Sequence, residues 1–231
     1  ITNFIFSQQN LNSQFTVVVD AGHGGKDPGN TGNGYLEKKI ALSIALKLGK
    51  KLEDNGVKVV YTRKSDVFVN LFERANIANS SNAQLFISIH CDSHTSQAYG
   101  AGTFVLGLHA NQRNFEVAKK ENSVIFFEED YINKYEGFDP NNPESVIGLT
   151  LMQEEYLDQS IVAASYIQNS FVNRLKRRNR TVKQAGFIVL KYTYMPSVLV
   201  ETGFLTNNSE GAYLNSGRGQ NEMADAIASA V

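Results

Sequence analysis

Thr16-Val17-Val18-Val19-Asp20-Ala21-Gly22-His23-Gly24-Gly25-Lys26-Asp27-Pro28-Gly29 is a short apolar run that breaks into a glycine-rich turn carrying a histidine. Beyond the turn, Leu36, Ile40, Ile44, Leu48 and Leu52 recur every fourth residue, with Ala41, Leu42 and Ala45 broadening the stripe. That spacing predicts an amphipathic helix, and Asn55-Gly56 ends it. Val57 to Thr62 then predicts a second strand. Strand, helix and strand in this order supply the crossover that parallel pairing needs. In open sheets of this kind, residues far apart in sequence meet just past the carboxyl ends of the strands.

The pattern continues. A helix is expected from about Asn70 to Ser80, then a strand from Leu85 to Ile89 that runs into His90. Gly102 to Leu106 predicts a further strand. Asp158 is positioned to cap a long helix through Ile161, Ala164, Ile167, Phe171 and Leu175. Strands are expected over Gly186 to Lys191 and Ser197 to Glu201, and an Ala-rich helix over Glu222 to Val231. The expected fold is α/β: a three-layer single domain with a mainly parallel or mixed central sheet flanked by helices. Residues 1–15 form a polar lead-in to a domain over 16–231. An insert at about 108–157 breaks the alternation, with acidic and aromatic Phe126 to Tyr131, turn-rich Gly137 to Pro143, and a helix-like stretch from Glu144 to Leu157. Irregularity of that length implies a segment with a task or a mobile one.

The chain's 231 residues suit one domain, and 42% hydrophobic with 19% charged residues is ordinary for a water-soluble globular protein. A net charge of -1 argues against broad capture of nucleic acid, which needs many cations on one face. No apolar run is long enough for a membrane span. Cys91 is the only cysteine, so no internal disulfide forms. With Ile1 first and no Met, a processed or trimmed chain is expected.

Four side chains fall at the predicted strand ends and at a helix start: His23, Glu37, His90 and Glu201. Hydrolytic zinc sites take three ligands from imidazole and carboxylate and leave a position for water, and His23, Glu37 and His90 supply that set. Bound zinc would lower the pKa of water toward about 7 and polarise a carbonyl. Glu201 remains to take the water's proton and pass it to a departing amine. Each residue alone has a plainer explanation: a turn histidine, or a glutamate favoured by a helix dipole. Their joint placement favours the site. The glycine-rich loop matches neither G-x-G-x-x-G nor a Walker pattern, so a phosphate cradle is disfavoured.

The same residues carry a family resemblance. Asp20 to Gly29, Glu37-Lys38, Thr62-Arg63, Leu71 to Arg74 with Ala78-Asn79, Ser88-Ile89-His90, Val189-Leu190, and Pro196 to Phe204 with Asn207 and Glu210 resemble the zinc-dependent N-acetylmuramoyl-L-alanine amidases (amidase type 3) of bacterial cell-wall turnover. The resemblance runs from Thr16 to the end. It implies Zn2+ on His23, Glu37 and His90, Glu201 as the acid/base, and cleavage of the amide between N-acetylmuramic acid and the L-alanine of the stem peptide in peptidoglycan or muropeptides. It also implies a periplasmic or otherwise extracytoplasmic location. Arg63 and Arg74 match family positions and are expected to brace the site or to pack.

Two features depart from the family or elaborate on it. Cys91-Asp92 stands where the family commonly has Ala-Asn. Alternation points Cys91 away from His90, so it is expected to be a small packed residue, while Asp92 either orients a ligand histidine or caps a turn. The insert resembles, in position, a helix that blocks the zinc in division-associated members until a partner protein withdraws it. Glu144, Glu154 and Glu155 are its candidate inhibitory ligands; the alternative is a substrate-binding wall or an acidic lid. His94 and His109 are expected at the surface, and the basic cluster Lys176, Arg177, Arg178, Arg180 and Lys183 reads as a solvated helix end, with contact to stem-peptide carboxylates as the alternative. A carboxypeptidase and a non-catalytic binding module are the rival functions.

Overall fold

The computed structural model describes residues 14–109, 111–147 and 154–231. In chain order its elements are β1 (Thr16–Ala21), a small hairpin of β2 (Thr31–Gly32) and β3 (Tyr35–Leu36), α1 (Glu37–Asp54), β4 (Lys58–Tyr61), α2 (Leu71–Ser80), β5 (Leu85–Asp92) and β6 (Ala101–Leu106). There follow α3 (Gln112–Asn122), α4 (Tyr131–Lys134), α5 (Glu154–Asn173), β7 (Asn179–Ala185), α6 (Ile188–Lys191), β8 (Ser197–Phe204), α7 (Asn208–Asn215) and α8 (Gly217–Ala228).

The main sheet has the order β4-β1-β5-β8-β6-β7, and neighbours are parallel except for antiparallel β6 and β8. This is the mixed α/β sheet the sequence predicts. β1 is buried throughout because both sheet faces are covered. Val17, Val19 and Ala21 enter one core with Ile40, Ile44 and Leu48 of α1 and Met223 of α8. Val18 enters the other, with Phe86, Phe104, Leu199 and Val117 of α3. The carboxyl ends of β1, β5 and β8 share one sheet edge, where β6 and β7 begin.

Several boundaries differ from expectation. The strand expected at 186–191 is displaced: β7 ends at Ala185, and Ile188–Lys191 is a helical turn. Asn122 explains the break. Its side chain donates to Gly186 O at 2.7 Å and accepts from Ile188 N at 2.9 Å, taking both groups out of a ladder. β7 itself is a half-exposed edge strand whose Arg180 and Lys183 hid it among charges. α5 begins at Glu154, so Asp158 lies inside it and is not its cap, and Leu175 lies beyond its end. The closing helix starts early, where Ser216 Oγ accepts from Gly219 N at 2.9 Å. Within the expected Glu144 to Leu157 helix, residues 143–146 form a 3-10 turn and 148–153 fall outside the described residues. Nearly all of the polar lead-in lies outside them too.

Candidate metal centre

The loop after β1 is built to present His23. Its φ of 61° is left-handed, an unusual conformation for a residue with a side chain, and Gly24 and Gly25 beside it have φ of 127° and 57°. A bridge between Gly24 and Asp27 closes the turn and brings Asp27 Oδ2 to 2.7 Å from His23 Nδ1. Buried Arg74 donates to the His23 carbonyl at 2.8 Å, and Arg63 donates to the carbonyls of Ala21 and Gly22 at 2.9 and 2.7 Å. Both arginines therefore brace the loop.

Glu37 is the first residue of α1 and is fully buried. Its Oε2 accepts from Asn30 N and its Oε1 from Cys91 N, each at 2.7 Å. His90 stands on the same sheet face as Ser88, whose Oγ lies 3.1 Å from His90 Nε2 and donates to Asp20 Oδ2 at 2.5 Å. Asp20 is held in turn by Thr62 and Arg74 at 2.6 Å. Each ring thus has one nitrogen fixed from behind and the other directed into the site, the arrangement that orients metal-ligating histidines.

One ligand atom from each of His23, Glu37, His90 and Glu121 lies within 4.8 Å of the other three. His23 Nε2 is 3.2 Å from Glu37 Oε2 and 3.0 Å from Glu121 Oε2, and His90 Nδ1 is 3.1 Å from Glu37 Oε1 and 2.9 Å from Glu121 Oε2. Despite that proximity, buried His23 Nε2 and Glu121 Oε2 form no hydrogen bond. Lone pairs aimed at a common centre produce this pattern. Four ligands held tetrahedrally at ~2.0–2.1 Å would be separated by about 3.3 Å, so the donor set fits a small divalent cation such as zinc.

The electrostatics agree. Burial alone would make both histidines harder to protonate, but Glu37 and Glu121 reverse this, raising His23 well above its usual value and His90 to about 9. Burial would raise Glu37, yet the two imidazoles hold it well below the carboxylate range. Burial and Glu37 push Glu121 up, and the same rings bring it down overall. The cluster is a site for positive charge.

Glu201 behaves oppositely. It pairs in register with His90 across β5 and β8, is buried, and makes no hydrogen bond through either carboxylate oxygen. Burial, followed by the negative charges of Asp92, Glu121 and Glu37, raises its pKa well above the ordinary value. A carboxyl poised to hold a proton beside a cation site has the properties of a general acid/base.

The structure brings His23, Glu37 and His90 together and sets Glu201 beside them. Among the acids singled out in the insert, Glu144 and Glu155 are exposed, Glu144 on the surface turn at 143–146, and Glu154 opens α5. Among the described residues, the insert carboxylate that reaches the cluster is Glu121, in the last turn of α3. Its signal was present in the sequence: Asn114, Phe115, Ala118, Glu121 and Asn122 lie at helical spacing, and all are buried. Lys119 and Lys120 beside it disguised the stripe as a solvated surface.

Asp92 orients no histidine; it accepts from Arg113 Nη2 at 2.7 Å and from Ser93 N. Cys91 packs in the opposite core, its Sγ 3.3 Å from Thr202 Oγ1. His94 is exposed, and half-buried His109 packs on Phe115. The basic cluster divides: Arg177 pairs with Glu210 and Arg178 lies over Tyr99, while Arg180 and Lys183 turn toward the site edge.

Comparison with known proteins finds related chains of the same fold. The family profile described as N-acetylmuramoyl-L-alanine amidase matches residues 17–231. The chain is 34% identical over 220 residues to N-acetylmuramoyl-L-alanine amidase AmiA of Escherichia coli (strain K12), covering 93% of this chain and 74% of that protein. Among solved structures, N-acetylmuramoyl-L-alanine amidase AmiC2 of Nostoc punctiforme superposes with a TM-score of 0.70 at 30% identity, over 94% of this chain and 95% of that one. The CwlD amidase of Clostridioides difficile, solved in complex with the GerS lipoprotein, gives 0.67 at 27% identity, over 93% and 94%.

Proposed function

The chain belongs to the N-acetylmuramoyl-L-alanine amidase family, and on that premise we propose a zinc-dependent hydrolase that cleaves the amide between N-acetylmuramic acid and L-alanine of the peptidoglycan stem peptide. The observation that carries the zinc reading is the convergence of His23 Nε2, His90 Nδ1 and Glu37 on one point, where buried His23 Nε2 has no hydrogen-bond partner. Zinc bound there supplies Lewis acidity toward the amide carbonyl and makes a nearby water more acidic.

The chain's own groups do the rest. Asp27 and the Ser88–Asp20 pair hold the two rings in orientation. Glu201 accepts the proton of the attacking water at its carboxylate and returns it to the amine of the departing L-alanine, a role worth about 10² to 10⁴ in rate. Burial and the nearby carboxylates of Asp92, Glu121 and Glu37 favour its holding the proton between the two transfers.

Glu121 adds regulation to this reading. Its carboxylate oxygen lies 3.0 Å from His23 Nε2 and 2.9 Å from His90 Nδ1, so it would hold a bound zinc together with the other three residues and keep water from it. It therefore acts as an autoinhibitory plug. α3 is held in place by Arg113 to Asp92, Lys120 to Ser93 and Asn122 to the 186–188 turn. Just past α3, Phe126, Phe127 and Ile132 are exposed, a surface on which a protein activator can grip and withdraw the segment. The substrate places the enzyme outside the bacterial cytoplasm, and no described helix is long and apolar enough to cross a membrane.

Mass analysis of digested muropeptides tests the activity. Release of an intact stem peptide from the sugar is the expected product; release of a single terminal amino acid would favour a carboxypeptidase, and no turnover with zinc bound would favour a binding module.

A further inference from the structure

Glu201 is flanked in register by His90 on β5 and by Gly102 on β6, so these residues form one row across the sheet edge. The row continues into β7, where a register shift between Ala101 and Thr103 leaves Arg180 and Thr181 opposite Gly102. A Cβ on Gly102 would lie 2.8 Å from Lys183 Nζ and 3.1 Å from Arg180 Cβ. Both basic side chains therefore cross the notch left by the glycine, on the face that carries Glu201. The Arg180 guanidinium stacks at 5.1 Å on Phe204, and Lys183 Nζ sits 4.3 Å over Phe104.

Neighbouring Arg113 is neutralised by Asp92. The Arg180 guanidinium and the Lys183 ammonium make no hydrogen bond or ion pair with any described residue, although both side chains are half-buried and near each other. Burial, together with nearby Arg180 and Arg113, lowers Lys183 to about 8 against the opposing pull of Glu201 and Asp92. Cations set side by side without carboxylate partners are costly unless an anion arrives. They line an open groove of about 730 Å³ beside edge strand β7.

We propose that Arg180 and Lys183, crossing Gly102, form a subsite that receives a carboxylate of the departing peptide. This rests on the amidase reading, in which an acidic peptide leaves from the amide beside Glu201. The reach is right: β7 is two strands from β8, roughly 10 Å at ~4.8 Å per strand, which an extended peptide covers in about three residues. The subsite selects and positions substrate by charge and takes no part in proton transfer.

The test uses the zinc-loaded protein, its Arg180→Gln/Lys183→Gln variant and a Lys183→Arg variant. The probes are a muramoyl-peptide with free peptide carboxylates and its fully amidated counterpart, plus the two corresponding free peptides for calorimetry. The double variant is expected to raise Kd for the charged peptide and KM for the charged substrate about tenfold or more, with kcat and thermal stability close to the parent. The amidated pair shows no such change, and Lys183→Arg recovers most of the loss. Equal effects on charged and amidated probes, or no effect on either, overturn the subsite. If the parent binds the charged peptide through these residues but cleaves neither substrate, the subsite stands and the amidase reading falls; cleavage without charge preference does the reverse.

Discussion

Glu121 Oε2 lies 3.0 Å from His23 Nε2, both atoms are buried, and no hydrogen bond joins them. Two polar atoms left this way in a protein interior cost about 1–3 kcal/mol each unless something else satisfies them. The proposed shared cation would do so, and would account for an acid from the insert in a cluster that already contains Glu37.

Glu121→Ala removes the proposed plug and leaves His23, Glu37 and His90 in place. If the plug keeps the site open a tenth of the time or less, turnover rises by roughly tenfold or more, in proportion to the newly competent fraction. Zinc content stays near one ion per chain. Muropeptide release together with metal analysis checks both; a fall in turnover with zinc retained would make Glu121 part of the working site instead.

Glu201→Gln separates function from stability. Turnover falls by about 10² to 10⁴ because the proton carrier is lost. The Tm does not fall, because the parent carboxyl is buried without a hydrogen-bond partner and its replacement is uncharged. Calorimetry on the zinc-loaded pair decides, and a large drop in Tm would show that Glu201 supports the fold.

Asp20 links folding to the site. Burial would raise its pKa, but Arg74, Ser88 and Thr62 prevail and lower it. The stability it contributes is therefore fully present above its unfolded pKa of about 3.9 and is lost as pH falls through the lower folded value. Asp20→Asn strands buried Arg74 and costs about 3–5 kcal/mol at neutral pH, and urea unfolding from pH 7 to pH 3 should show the gap to the parent narrowing toward acid. Because Ser88 relays Asp20 to His90, the variant also binds zinc about 10–100-fold more weakly.

Gly29→Ala tests how closely the loop is fitted to the ligands. Gly29 has φ of +67°, and a Cβ there would fall 2.6 Å from His23 Cδ2 and 2.8 Å from Glu37 Oε2. Both ligands must shift, so zinc content drops while the circular dichroism of the fold is retained. Full zinc occupancy in the variant would show that the loop yields without cost.

The strands and ligands were legible where burial is two-sided or where chemistry is concentrated. Val17 to Val19 and Leu85 to Ile89 are buried on both faces and read as unbroken apolar runs; His23 lies two residues past β1, and His90 and Glu201 lie within the carboxyl-terminal halves of β5 and β8. β7 was not legible, because an edge strand with Arg180 and Lys183 on it carries no apolar alternation. The turn at 186–188 depends on Asn122, more than sixty residues away, which no local pattern reveals. Glu121 was hidden for a related reason: its partners are long-range, and its nearest neighbours in sequence are lysines. Cys91 was placed correctly by strand alternation alone, whereas Asp92 depended on Arg113, an insert residue whose position only the tertiary fold supplies.

The central claim is that His23, Glu37 and His90 share one catalytic zinc ion. Zinc titration of metal-stripped protein, with bound metal and stem-peptide release followed in the same samples, tests it most directly. The account predicts that turnover is absent in the stripped protein, rises in step with occupancy and saturates at one zinc per chain, with both signals lost in His90→Ala. Stem-peptide release by fully metal-free protein would contradict it.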